Sequence, residues 1–338
     1  MDQQILTSRD IIGTFYETVQ TAAGAGWVPY VSMLFPSNQQ FENYKWLGFS
    51  PALSRWMGSR RPTSLKGNGI IIENLLFDAT LEISVDDLRR DKSQQILLRV
   101  QELAAECANH WATLLTALIE AGETTVCYDG NNFFDTVHQE GSSPVQKNTI
   151  TKTDYSELGV AIGANPTAYE MANVIMKMIQ HLYSIKKDNG QPMNEFAKEF
   201  LVLVPVNMYG NAVKAVSGLI LAAGTGAIDN PLRSLPGFNI RVEVNPRSGW
   251  SNKLAVFRTD GRARPFIRQA EDLNNGNIGS VATTNGSTGF DETMGIKINA
   301  IAEGSEEAIT HRRHLYTVEA SRNVGYGYWQ QAVLATLG

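Results

Sequence analysis

One stretch constrains the fold more than any other: SQQILLRVQELAAECANHWATLLTALIEA, residues 93–121. Ile96, Val100, Leu103, Cys107, Trp111, Leu114 and Leu118 recur every three or four residues, and Leu97, Ala104, Ala108 and Leu115 widen the stripe. That period predicts an amphipathic helix, with Ser93 as its cap and Gly122 as its stop. At about 1.5 Å per residue it would run about 44 Å. Cys107 falls on the apolar stripe and reads as a small buried filler.

The segment before it has a different period. From Phe77 to Asp86 the apolar residues Phe77, Ala79, Leu81, Ile83 and Val85 alternate with Asp78, Thr80, Glu82, Ser84 and Asp86. Period two predicts a strand with one wet face. Upstream, Arg55, Arg60, Arg61 and Lys66 occur with no acid among them, then Glu73, Asp78, Glu82, Asp86 and Asp87 with no base. KGNG separates the two limbs as a turn signal. Residues 55–92 therefore read as a long hairpin with one basic and one acidic edge. Charge pairing within one hairpin would contribute only about 0.2–1 kcal/mol per pair. The favoured alternative is a hairpin that reaches over a neighbouring subunit.

Residues 1–54 read as an extended, irregular arm. Its rings, Tyr16, Trp27, Tyr30, Phe35, Phe41, Tyr44 and Trp46, are too many for a disordered tail. After residue 154 a second domain follows, with an amphipathic helix at Tyr169–Lys187 and a buried strand at Glu199–Val206. Asn207 is expected to cap a helix over MYGNAVKAVSGLILAAG. Strands are expected at Asn239–Val244, Leu254–Thr259, Pro265–Arg268, Ile296–Ala302 and Leu315–Ser321. Residues 271–295 are rich in Gly, Asn, Ser and Thr and read as a long surface loop.

The net charge is −5 over 338 residues. A protein gripping nucleic acid through phosphates would show a basic excess or stripe. Two cysteines, Cys107 and Cys127, are too few for a disulfide framework and favour a reducing compartment. Residues 1–22 show no signal-peptide pattern, and no apolar run is long enough to span a bilayer.

CYDGNNFFDTVH, Cys127–His138, gathers a thiol, two carboxylates and a histidine in twelve residues. A hydrolytic reading makes Cys127 the nucleophile, His138 the base and Asp135 the orienter. It lacks a feature to lower the thiol pKa, since Cys127 follows a β-like run among acids. A metal reading from Asp129, Asp135 and His138 lacks paired ligand spacing. The structural reading accounts for each residue. Asp129-Gly130 favours a tight turn, Phe133 and Phe134 would cover opposite faces of a following strand, Asp135 can accept backbone N–H groups, and His138 fastens the corner. HRRH, His311–His314, reads as a solvated strand entry. GTG at Gly224–Gly226 and GNG at Gly67–Gly69 match no phosphate loop. No catalytic residue, metal or cofactor is expected.

CYDGNNFFDTVH resembles a block of the major head subunits of Mu-like bacteriophages. RWMGSRRP (Arg55–Pro62), DATLEISVDDLRRDK (Asp78–Lys92), RPFIRQAED (Arg264–Asp272) and VGYGYWQQAVL (Val324–Leu334) resemble further segments of the same family. The joint order is the specific signal.

The resemblance implies an α+β chain with the Hong Kong 97-type capsid fold. Its parts would be an N-terminal arm (1–54), an E-loop hairpin (55–92), a peripheral domain with the spine helix (93–154), an axial domain (155–300) and C-terminal strands returning to the peripheral domain (301–338). It also implies a structural role in hexamers and pentamers of a phage head, assembled in the bacterial cytoplasm and enclosing DNA without reading its sequence. No long charged helical extension stands at the N-terminus, so a separate scaffold or protease product is implied, with a portal and an optional cement protein. Arg55, Arg60, Arg61, Lys66, Glu73, Asp78 and Glu82 become candidates for inter-subunit contact. An encapsulin-like compartment of the same fold is the rival reading.

Overall fold

A computed structural model describes residues 7–22, 24–45, 69–90, 95–223, 226–233, 237–271, 273 and 295–338. Arg55, Arg60, Arg61, Lys66, the Ser93 cap and most of the 271–295 loop lie outside them.

In chain order, helix α1 (Ser8–Thr21) leads to the short α2 (Val28–Val31), β1 (Ser32–Ser37) and β2 (Phe41–Lys45). Then come β3 (Gly69–Glu73), β4 (Leu75–Ser84), α3 (Val85–Arg90) and the long α4 (Gln95–Glu120). The second half holds β5 (Thr149–Ile150), α5 (Ala168–Ser184), β6 (Glu199–Val204), α6 (Val206–Ser217), β7 (Ile220–Ala223) and β8 (Gly226–Asp229). It continues through β9 (Asn239–Val244), β10 (Lys253–Arg258), β11 (Phe266–Glu271), β12 (Ile296–Ile301), α7 (Glu306–Thr310), β13 (Arg313–Tyr326) and β14 (Ala332–Thr336).

Two mixed sheets organise these elements. The first runs β1-β11-β13-β12, with β4 also paired to β13; the second runs β5-β14-β10-β6-β9. Helix α4 joins two cores. Its first half buries Val100 and Ala104 with Ile11, Phe15 and Val19 of α1 and Tyr316 and Val318 of β13. Its second half buries Trp111, Leu115 and Ile119 with α5, α6 and the second sheet. Its 26 residues span about 39 Å, enough to reach both. The single apolar stripe thus serves two separate packing problems.

Residues 8–21 are not irregular. Thr7 and Asp10 form a capping box, and Ile11, Phe15 and Val19, spaced i, i+4, i+8, bury completely against α4 of the same chain. In β4 the residues Asp78, Thr80 and Glu82 are exposed as the alternation requires, but Val85 and Asp86 leave the strand and open α3. The acids Asp86 and Asp87 sit in that helix's first turn and Arg89 and Arg90 in its last, matching the helix dipole.

The described partner of β4 is β13, from Arg313↔Ser84 to Arg322↔Leu75, while β3 pairs with β2. The acidic edge is therefore built into a sheet and not merely into one hairpin. Helix α6 ends at Gly218, and residues 220–223 form β7 with β8 as partner. Asn207 lies inside α6, whose cap is Pro205, and its amide donates to the Ser251 carbonyl at 2.8 Å. The sheets also cut across the expected division at residue 300. Strands β11 and β12 belong to the first sheet, and β14 lies inside the second. His314 is buried, so the HRRH segment is not a wholly solvated entry.

Candidate functional site

The corner at Cys127–His138 begins just past α4. Val126 bridges Asn132, the Cys127 N–H donates to the Asn131 carbonyl at 2.7 Å, and Gly130 N–H donates to the Cys127 carbonyl at 3.1 Å. Gly130 takes φ +89°, a conformation that L side chains adopt rarely, which is why Asp-Gly stands at this turn. No strand follows it. Phe133 and Phe134 are both buried and meet edge to face at 4.9 Å, instead of covering opposite faces. Phe133 stacks on Tyr326 at 4.7 Å, and Phe134 packs where Gly122 leaves room.

Asp129 is the hub. Its Oδ2 lies 2.6 Å from His138 Nδ1, and its Oδ1 accepts from the Cys127 thiol at 3.0 Å and the Asn131 N–H at 3.1 Å. His138 Nε2 lies 3.3 Å from Asn148 Oδ1, and the His138 ring lies flat on Trp329. Asn148 Nδ2 donates to the Phe133 carbonyl at 2.8 Å, and its backbone carbonyl accepts from Leu334 of β14 at 2.8 Å. His138 also exchanges backbone hydrogen bonds with Gln146, each 2.8 Å. The network joins the turn, the connector and the C-terminal segment.

Asp135 is not the orienter of His138. Its carboxylate accepts from the N–H groups of Asn132 and Thr136, closing its own loop at 3.2 and 2.6 Å. The carboxylate at His138 is Asp129, nine residues upstream.

The chemistry of the cluster is that of a closed polar core. Burial pushes the Cys127 thiol well above its ordinary range, and the Asp129 charge pushes it further. A thiol held protonated and donating to a carboxylate is a poor nucleophile. Burial also works to raise the Asp129 pKa, but hydrogen bonds from His138 and Cys127 outweigh it, and the net shift is downward.

Cys127, Asp129 and His138 offer ligand atoms within 4.8 Å of one another, a different trio from the expected Asp129, Asp135 and His138. The 2.6 Å His138–Asp129 contact is a direct hydrogen bond, and the thiol is protonated. In this arrangement the three donors are hydrogen-bonded to one another.

Asn148 and Trp329 escaped the reading from sequence. Asn148 sits in a polar connector without periodicity, and Trp329 lies in the C-terminal segment. Only the place of Trp329 within VGYGYWQQAVL hinted at a role.

The acidic contact candidates are spread out. Glu82 is 3.4 Å from Arg313 of its own chain, and Glu73 accepts from Gln40 at 3.3 Å. Asp78 is exposed on β4.

Residues 9–165 match the family model of the Mu-like prophage major head subunit gpT. The major capsid protein of Escherichia phage Mu is 31% identical over 135 residues, covering 38% of this chain and 44% of that protein. The chain therefore matches under half the length of that relative. Among solved structures, the procapsid of bacteriophage JBD30 is similar over 97% of this chain and 73% of its own, with 18% identity and a TM-score of 0.51. A virus-like particle from Pyrococcus furiosus is similar over 97% and 98%, with 9% identity and a TM-score of 0.50. The fold is the Hong Kong 97-type capsid fold.

Proposed function

We propose that this chain, similar over residues 9–165 to the Mu-like head subunits, is the major capsid protein of a tailed bacteriophage or prophage. It self-assembles into hexamers and pentamers that close an icosahedral shell around packaged double-stranded DNA. The family match carries the reading, because the fold alone is common to phage heads and to the Pyrococcus virus-like particle. For that reason the phage head is preferred to an encapsulin-like compartment.

In this reading the Cys127–His138 corner is structural and the protein is not an enzyme. Asp129, Gly130, Phe133, Phe134, Asp135 and His138 tie the end of the spine helix to the C-terminal segment. Residues 1–54 are the arm, 55–92 the E-loop and 93–154 the peripheral domain; the axial domain draws on 155–300 but gains β14 from the C-terminal segment, while β11 and β12 join β13 in the other sheet. Partners are other copies of the chain, a separate scaffold or protease product, a portal and an optional cement protein. A shell built of many weak repeated contacts closes only when each heterologous interface sets the right curvature. The net charge of −5 suits a wall that should not hold DNA tightly.

The test is electron microscopy of the purified chain. Closed shells of uniform diameter are expected. A monodisperse small species at every protein and salt concentration would overturn the reading. Shells that copurify with a specific protein cargo would favour the compartment.

A further inference from the structure

The hydrogens of the Cys127, Asp129 and His138 cluster can be placed one by one. Asn148 Nδ2 donates to the Phe133 carbonyl at 2.8 Å and to the Trp329 carbonyl at 3.4 Å, so both amide hydrogens are committed. Asn148 Oδ1 accepts from the Asp135 N–H at 2.9 Å and faces His138 Nε2 at 3.3 Å. Nε2 is therefore the donor, and Nδ1 is the nitrogen that meets Asp129. Two lone pairs do not meet at 2.6 Å, so one proton is shared between Nδ1 and Asp129 Oδ2. A second proton lies between the Cys127 sulfur and Asp129 Oδ1, 3.0 Å apart. Two protons thus sit among three donors that are shut off from solvent: the His138 and Asp129 side chains are 0% and 2% exposed, and Cys127 is buried.

We propose that this cluster is a zinc site, with Cys127 Sγ, an Asp129 carboxylate oxygen and His138 Nδ1 as ligands. Binding exchanges two protons for one ion. The thiol proton and the proton shared by Asp129 and His138 leave, and Zn²⁺ enters. A thiolate and a carboxylate then balance the two positive charges, so the buried cluster is neutral before and after. Neutrality matters because an unpaired buried charge is costly. Thiolate and imidazole ligands also select zinc over magnesium or calcium. The donor atoms lie within 4.8 Å of one another, and tetrahedral zinc with bonds of about 2.0–2.3 Å sets its ligands roughly 3.3–3.8 Å apart. His138 Nε2 already donates to an oxygen that Asn148 holds in place, the outer support that metal-bound imidazoles use. Three protein donors leave the fourth position to water.

The test uses cobalt(II), which enters zinc sites and reports thiolate ligation through a charge-transfer band in the near ultraviolet. The full chain is expressed in minimal medium with cobalt in place of zinc, so that the ion is present while the buried cluster folds. One cobalt ion per chain and the band are expected. Cys107→Ser should keep both, and Cys127→Ser should lose both while its circular dichroism stays unchanged. The chain has two cysteines, so Cys127 is the only thiol left in Cys107→Ser. That variant identifies the ligand even if Cys127→Ser does not fold. A chain purified without cobalt would overturn the proposal. Cobalt without the band, or a band that Cys127→Ser keeps, would mean adventitious binding elsewhere and would overturn it too.

A second arm measures what the ion does for the fold. A ligand that binds the folded chain more tightly than the unfolded one raises stability by mass action. The urea midpoint of the subunit should therefore be higher with excess zinc than with chelator, and the difference should vanish in Asp129→Asn. Equal midpoints in the unmodified chain would sink the assignment. None of these readouts requires closed shells, so the site and the capsid reading stand or fall separately.

Discussion

His138 lies face to face on Trp329, with ring centroids 3.9 Å apart and planes 8° from parallel. The stack joins the turn after α4 to the segment that enters β14. On its edges His138 touches Asp129 and Asn148, so one buried ring holds three parts of the chain together.

His138→Ala should therefore cost about 1–3 kcal/mol, the scale of leaving a buried polar group without its hydrogen-bond partner. The Asp129 side chain is only 2% exposed and would lose its shortest contact. Urea denaturation of the unassembled subunit measures this. A loss below about 1 kcal/mol would mean that water replaces the ring freely.

Acid should loosen the same corner. The folded pKa of Asp129 is depressed, so its contribution is fully present above the unfolded carboxylate value of about 3.9. It is lost as pH falls through the lower folded value. Asp129→Asn should flatten the acid limb of a stability-against-pH curve while lowering stability at neutral pH. An unchanged acid limb would remove Asp129 from the account.

The Cys127 thiol should stay unreactive in the folded subunit. Iodoacetamide at pH 8 should label Cys127 only after unfolding, because burial and Asp129 hold it protonated. Cys127→Ser keeps a donor to Asp129 and should change stability by less than about 1 kcal/mol. A saturable hydrolytic activity abolished by that substitution would contradict the structural role.

Gly122→Ala should destabilise by about 1–3 kcal/mol through overpacking. A Cβ there would stand 2.6 Å from the Phe134 ring, whose movement is limited by Phe133. Thermal melting checks it, and an unshifted midpoint would show that the ring can turn aside.

Thr7→Ala should cost about 1 kcal/mol by removing the cap of α1. Faster tryptic cleavage at Arg9, ahead of any global unfolding, would report the frayed helix. Equal cleavage rates in both proteins would place the hold on α1 in its buried face alone.

The long helix, the alternating strand β4 and the strand Asn239–Val244 were all legible from residue spacing. Each has one apolar face, and the period of that face reports the backbone that carries it. Asp-Gly was legible as a turn because positive φ is a local demand on a single residue. Helix α1 was equally periodic, with Ile11, Phe15 and Val19, but the glycines, prolines and rings that follow it obscured the pattern. Tertiary contact decided the rest. Asp129 and Asp135 both stand within reach of His138 along the chain, and only the turn's geometry selects Asp129. Asn148 and Trp329 have no local signature, since Asn148 reaches Trp329 and Leu334, and Trp329 reaches His138, only when the C-terminal segment enters the second sheet. Periodicity records which face of an element is buried. Which elements bury it together depends on packing and hydrogen bonds between segments far apart in the chain, and residue spacing does not encode those.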